Sequence, residues 1–114
     1  MEILRKSGEL STEEQYKLCM SKDAQKMSIL EEQVVELGSW LLYKDVNSKG
    51  EEQKILAVKT PVGEVFATNS PTFVTDFERT IDFFEQNNEV VHSVRVVGGT
   101  SKNGRHYITC EYNN

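Results

Sequence analysis

A mainly β fold with α, a five-stranded barrel carrying one helix between strands 3 and 4 and a helical N-terminal extension, is predicted by three observations. A long run rich in β-branched, aromatic and aliphatic residues, Val34 to Lys44, is interrupted at Gly38, where a bulge or bend lets one strand turn a barrel corner. A capped amphipathic helix then separates the third strand-like segment from the fourth. Two final strands meet at Asn103-Gly104, the strongest short-range hairpin signal. Three strands, a helix and two more strands is the order of the OB fold, whose members bind single-stranded nucleic acid or oligosaccharide on one face. The organisation that follows is a helical extension over residues 1–30 and an OB-fold domain over 31–114.

The extension is rich in Glu, Lys, Gln, Ser and Met and shows no alternation. Ser11-Thr12-Glu13-Glu14 has the Ser-x-x-Glu capping-box pattern, so a short helix is expected from about residue 12 to 20. Ser21-Lys22-Asp23-Ala24 is a weaker second start, predicting a turn of helix near Ala24 to Met27. Its apolar residues are too few for a core of their own, so it docks on the barrel, on a second copy, or stays partly disordered.

Strand 1 runs from Val34 to Lys44, and Asp45 to Gly50 is turn chemistry. Strand 2 is Gln53 to Thr60, and Pro61-Val62-Gly63 makes a tight hairpin into strand 3, Glu64 to Thr68. Ser70-Pro71 then gives the clearest helix start in the chain: a hydroxyl N-cap followed by a proline where its missing amide costs nothing. Phe73, Phe77, Ile81 and Phe84 recur at helical spacing, which reads as core packing, while Phe83 falls off the stripe and is expected to be partly exposed or to reach a partner. Asn87-Asn88 ends the helix. Strand 4 is Val90 to Thr100 and strand 5 is Arg105 to Tyr112.

A two-residue turn pairing Lys102 with Arg105 would set Val94 and Val96 on the face opposite Ile108 and Cys110. One bulge at Gly98-Gly99 would restore a common apolar face and turn Arg95, Arg105, Tyr107 and Thr109 outward. The same parity predicts Val65 and Ala67 inside with Phe66 outward on strand 3, and Leu56 and Val58 inside with Lys59 outward on strand 2. The facing of Trp40 and Tyr43 stays open because of the bend at Gly38.

Composition limits the chemistry. Hydrophobic residues make up 38 % and charged residues 27 % of the chain, and no apolar run approaches the length that spans a membrane, so no membrane partner is expected. The N-terminus lacks the apolar core of a secretory signal, which points to a cytoplasmic location, the bacterial host's cytoplasm if the chain is phage-encoded. Cys19 and Cys110 lack the spacing of a zinc site or disulfide framework, so no metal and no cofactor are expected. His92 and His106 accompany no nucleophile, phosphate-loop or His-Glu-x-x-His pattern, so catalytic residues are expected to be none and the chain is not an enzyme. The net charge of −5 is unevenly spread: residues 70–89 hold one cation against five carboxylates, residues 90–114 three cations against one. The final hairpin is basic, and the helix acidic.

Cations beside flat rings are what single-stranded nucleic acid requires, charge following the backbone and rings stacking on bases. The candidate nucleic-acid-binding residues are therefore Trp40, Tyr43, Lys44, Lys49, Lys54, Lys59, Phe66, Arg95, Lys102, Arg105 and Tyr107. Taken singly, each lysine is an ordinary solvated charge; their shared face is what selects them.

The stretches Gly50-Glu51-Glu52-Gln53-Lys54-Ile55-Leu56, Gly63-Glu64-Val65-Phe66-Ala67-Thr68-Asn69-Ser70 and Ser101-Lys102-Asn103-Gly104-Arg105-His106-Tyr107-Ile108-Thr109-Cys110 resemble the small OB-fold single-stranded DNA-binding proteins of phages and mobile elements of Gram-positive bacteria, over about residues 34 to 112. The resemblance implies sequence-independent coating of transient single-stranded DNA, or RNA, in replication or recombination, by a homo-oligomer (a dimer or higher) that meets replication or recombination proteins. The alternative is an OB-fold protein-interaction module, such as a phage-encoded inhibitor of a host enzyme or defence protein, whose acidic helices meet a basic partner or mimic nucleic acid.

Overall fold

A computed structural model describes residues 1–113. Its elements are β1 (Glu2–Lys6), α1 (Thr12–Met20), β2 (Gln25–Lys26), β3 (Val34–Glu36), β4 (Ser39–Val46), β5 (Glu52–Lys59), β6 (Val65–Thr68), α2 (Pro71–Gln86), β7 (Ser93–Thr100) and β8 (His106–Tyr112), with one 3-10 turn at Met27–Leu30. The chain is mainly β with two α-helices, and its strands form two sheets. The larger has the order β1-β4-β5-β6-β2, and the smaller β3-β7-β8.

Two expectations are corrected. The barrel is not closed, because the outer edge of β6 pairs in parallel with β2, Gln25 opposite Phe66 and Lys26 opposite Ala67, and not with β8. On the β8 side the Ile108 carbonyl instead accepts the hydroxyls of Thr72 at 2.7 Å and Ser70 at 3.2 Å, so side chains from the start of α2 satisfy what a neighbouring strand would. The N-terminal segment is not simply a helical extension either: β1 lies antiparallel to β4, Glu2 opposite Lys44 and Lys6 opposite Leu41. Glu2–Lys6 is a charged edge strand, a composition that blunts the alternation by which strands are read.

α1 forms where its capping box predicts, with the Ser11 Oγ accepting from the Glu14 amide at 3.1 Å and the Glu14 carboxylate accepting from the Ser11 amide at 3.3 Å. The helical turn expected at Ala24–Met27 lies three residues later, as the 3-10 turn at Met27–Leu30, because Gln25 and Lys26 are held extended on β6.

The long first strand breaks at Gly38 into β3 and β4 and so serves both sheets. The Gly38 amide donates to the Lys59 carbonyl at 2.9 Å, and a Cβ there would stand 2.7 Å from the same oxygen, so only glycine allows the approach. Between the sheets lies the main core: Trp40 and Leu42 of β4, Leu56 and Val58 of β5, Phe66 of β6, the Phe73, Val74, Phe77 and Ile81 face of α2, and Val94, Val96, Ile108 and Cys110. On the other side of the larger sheet, Leu41, Tyr43 and Ala57 are covered by Leu18 of α1. A sheet covered on both faces shows no hydrophobic alternation, which is why all of Trp40-Leu41-Leu42-Tyr43 is buried.

Strand parity is corrected at two points. β7 and β8 pair without a bulge at Gly98-Gly99: Val96 faces Cys110, Gly99 faces Tyr107 and Thr100 faces His106. The parity shift comes from the turn instead, where Ser101 donates to the Arg105 carbonyl at 2.8 Å around a three-residue loop that places Gly104 at φ 78. Val94, Val96, Ile108 and Cys110 share the buried face as expected, by a different device. On β6 the expected facing is reversed, since Phe66, paired with Val58, enters the core while Ala67 packs on the α1 side.

Candidate nucleic-acid interface

The open seam between β6 and β8 forms a cleft of about 640 Å³. Lys26, Met27 and Ser28 wall one side, and the run from Ala67 through Asn69 to Pro71 carries the chain from β6 into α2 beneath it. His106, Tyr107 and Ile108 at the start of β8 form the opposite wall. Met27, Ile55, Ala67 and Ile108 make an apolar floor, with Lys26, Asn69, His106 and Tyr107 the larger polar groups around it. The Asn69 amide is fixed by donation to the Gln53 side chain at 2.9 Å. This composition, a largely apolar concavity with a few placed polar groups, suits a flat ring with a charged attachment.

Gly98 and Gly99 shape the β7 side of the hairpin. A Cβ on Gly99 would fall 2.8 Å from the Tyr107 ring, so the absent side chain lets that ring lie against the backbone with 36 % of the residue still exposed. A Cβ on Gly98 would coincide with the Glu31 carboxylate, which reaches over it to the His106 Nε2 at 2.7 Å. Next to it Glu32, in the left-handed region at φ 65, donates its amide to the Val96 carbonyl at 2.6 Å and accepts the Gly98 amide at 3.1 Å. The chain from Lys26 to Gln33 is thus clipped to β7 while it walls the cleft.

The sequence-derived candidates divide sharply. Trp40, Tyr43 and Phe66 are 7 %, 6 % and 4 % exposed and present no face to a ligand, a correction that follows from the covering of the larger sheet by α1 on one side and α2 on the other. Trp40 packs edge-on against Phe77 with ring centroids 5.1 Å apart. Burial, with Cys19 and Asp45 adding to it, pushes the Tyr43 phenol up to about 12. Among the cations, Lys44 stands 3.9 Å from Glu52, Lys54 3.3 Å from Glu78 and Arg95 3.8 Å from Glu32, each spending part of its charge within the molecule. Lys49 is exposed on the β4–β5 turn, and Lys59 is half-buried beside the Gly38 bend. Only Lys102, Arg105 and Tyr107 fall together, on the hairpin that leads into the cleft, with Arg95 on the same outer face of the smaller sheet.

Lys26 and His106 complete this group, and sequence reasoning missed both as site residues. Lys26 belongs to a two-residue strand in a stretch without periodicity, and only its pairing with Ala67 carries it to the cleft wall. Lys26, Lys102 and Arg105 have no carboxylate within 4 Å among the described residues.

Neither cysteine is poised as a nucleophile. Burial, with Asp76 and Glu111 adding to it, pushes the Cys110 thiol up to about 12, and burial with Asp45 raises Cys19, so both are protonated at neutral pH. Among the described residues no three His, Cys, Asp or Glu side chains are placed to share a metal ion, and no helix is long and apolar enough to cross a membrane. No family model, no curated protein and no solved structure matches this chain.

Proposed function

We propose that the protein is a sequence-independent single-stranded DNA-binding protein, not an enzyme, acting in DNA replication or recombination in a bacterial cytoplasm. The observation that carries this reading is the exposed Tyr107 ring at the rim of an open, apolar-floored cleft flanked by Lys26, Lys102 and Arg105. The ring offers a stacking surface that any base can use, and the three cations follow the phosphates on either side. The cleft floor takes the face of a second base. Little beyond the Asn69 amide and His106 is placed to read base edges, and both are already engaged, by Gln53 and Glu31, so affinity depends on backbone and stacking rather than on sequence.

The net charge of −5 does not oppose this reading, because the carboxylates concentrate on α2 and in the N-terminal segment while the hairpin is basic. Anisotropy of a dye-labelled oligothymidylate tests it; Trp40 fluorescence is a poor reporter, since that ring lies inside the core. Binding is expected at low salt, with the logarithm of affinity falling against the logarithm of salt at a slope of about −2, as three phosphate contacts on a single strand give. No binding at low salt, or binding indifferent to salt, contradicts it.

A further inference from the structure

Gly38 divides the long first strand, and only the second half keeps β5 beside it. β4 pairs with β5 from Val46 and Glu52 to Ser39 and Lys59, and the seam ends where the Gly38 amide donates to the Lys59 carbonyl. Beyond that point β5 turns back through Pro61 to Gly63 into β6, while β3 runs on against β7 alone. The two part and leave a groove of about 430 Å³ between β3 and the β5–β6 hairpin, with Leu30, Val35 and Phe66 at its apolar base and Pro61 and Val62 on the far wall. It shares no lining residue with the cleft beside Tyr107.

The register of β3 decides what it turns toward this groove. The Val96 amide donates to the Gln33 carbonyl at 2.9 Å and the Leu37 amide to the His92 carbonyl at 2.8 Å, with Val35 opposite Val94 between them. Gln33, Val35 and Leu37 therefore spend backbone groups on β7, whereas Val34 and Glu36 point theirs away from it, with no partner among the described residues. A row of unpaired amides and carbonyls is a template for another strand. Elsewhere edges are blunted, β1 by its charges and a register shift between Ile3 and Arg5, and β8 by the hydroxyls of Ser70 and Thr72 at Ile108. β3 carries no lysine, proline or bulge.

Charge selects the occupant. Glu64, two residues before Phe66, shares its face of the hairpin and overlooks the groove, and Glu36 stands on the outward face of β3 with Val34. Both are exposed, with no cation within 4 Å among the described residues. On that outward face Arg95 is already 3.8 Å from Glu32 and lies opposite Glu111, so carboxylates remain in excess. We propose that β3 is a docking edge for an extended segment of another protein in which apolar residues alternate with lysine or arginine. The segment pairs with Val34 and Glu36 as an added strand, its apolar side chains settling over Leu30, Val35 and Phe66 and its cations reaching Glu36 and Glu64.

Backbone amide shifts and hydrogen exchange during titration with a capped six-residue peptide of alternating lysine and valine test this. Saturable shifts are expected from Val34 to Glu36 and from Thr60 to Phe66. The Val34 and Glu36 amides are expected to exchange about ten-fold more slowly at saturation, whereas Val35, already turned to β7, changes little. Glu36→Lys with Glu64→Lys should weaken the peptide about ten-fold or more and accept its glutamate–valine counterpart instead. The lysine–valine peptide N-methylated on every backbone nitrogen keeps its charge and should not bind. No binding of the unmethylated peptide, equal binding of the methylated one, or indifference to the charge reversal overturns the proposal. So do edge shifts produced by concentrating the protein alone, which would give the edge to a second copy, or by oligothymidylate, which would give it to DNA.

Discussion

Phe77→Ala is expected to lower the unfolding free energy by about 3–5 kcal/mol, the range for removing a fully buried phenylalanine and leaving a cavity. Phe77 is 1 % exposed, sits on the inner face of α2 between the two sheets, and holds the edge of Trp40. Its loss removes contacts to both layers together, which limits how far the site can collapse. A domain of this size has about 5–15 kcal/mol in total, so the variant retains little margin. Urea unfolding followed by Trp40 fluorescence measures the loss, because the reporter is the deleted ring's own neighbour. Phe83→Ala, six residues further along the same helix but 63 % exposed, should fall within about 0.5 kcal/mol of the wild type. Equal losses in the two variants would mean that α2 does not present the face described.

Tyr107→Ala is expected to weaken oligothymidylate binding by about 1–3 kcal/mol, roughly 5- to 150-fold, the value of one base stacked on an aromatic ring. Its effect on folding should be small, about 1 kcal/mol or less, because the ring is partly in solvent and lies against the glycine backbone opposite. Tyr107→Phe keeps the stacking surface and should bind nearly as the wild type. Phe66→Ala must behave oppositely: with 4 % of the residue exposed and its ring in the core beside Val58, it loses stability first and binding only as a consequence. If Tyr107→Ala and Tyr107→Phe bind equally well, the ring is not the stacking platform.

The parts of this fold that were legible in the sequence are those set by local chemistry. Ser11 and Glu14 start α1, Ser70 and Pro71 start α2, and both helices begin where those residues place them. The stripe of Phe73, Phe77 and Ile81 is buried, and Gly38 bends the first strand where bending was expected. What could not be read was set by distant chain. The burial of Tyr43 depends on α1 crossing the back of the larger sheet, that of Trp40 on Phe77 of α2 crossing its front, and that of Phe66 on the core it shares with the Met27–Leu30 turn, so strand residues that looked available for a ligand are sealed on both sides. Lys26 reaches the cleft only because two residues of the N-terminal segment occupy the edge of β6, a pairing too short to leave a pattern. The hairpin was legible in part: Asn103-Gly104 marked the turn, but whether its loop holds two residues or three decides the facing of every residue behind it. The Ser101 to Arg105 hydrogen bond settles that at three.

Backbone amide chemical shifts during an oligothymidylate titration show whether single-stranded DNA lies along the β7–β8 hairpin and the adjoining cleft. Changes are expected to concentrate in residues 99–108, at Lys26 to Ser28 and from Ala67 to Asn69, with α1 and the C-terminal half of α2 unmoved. Changes confined to the helices, or none at low salt, would contradict that placement.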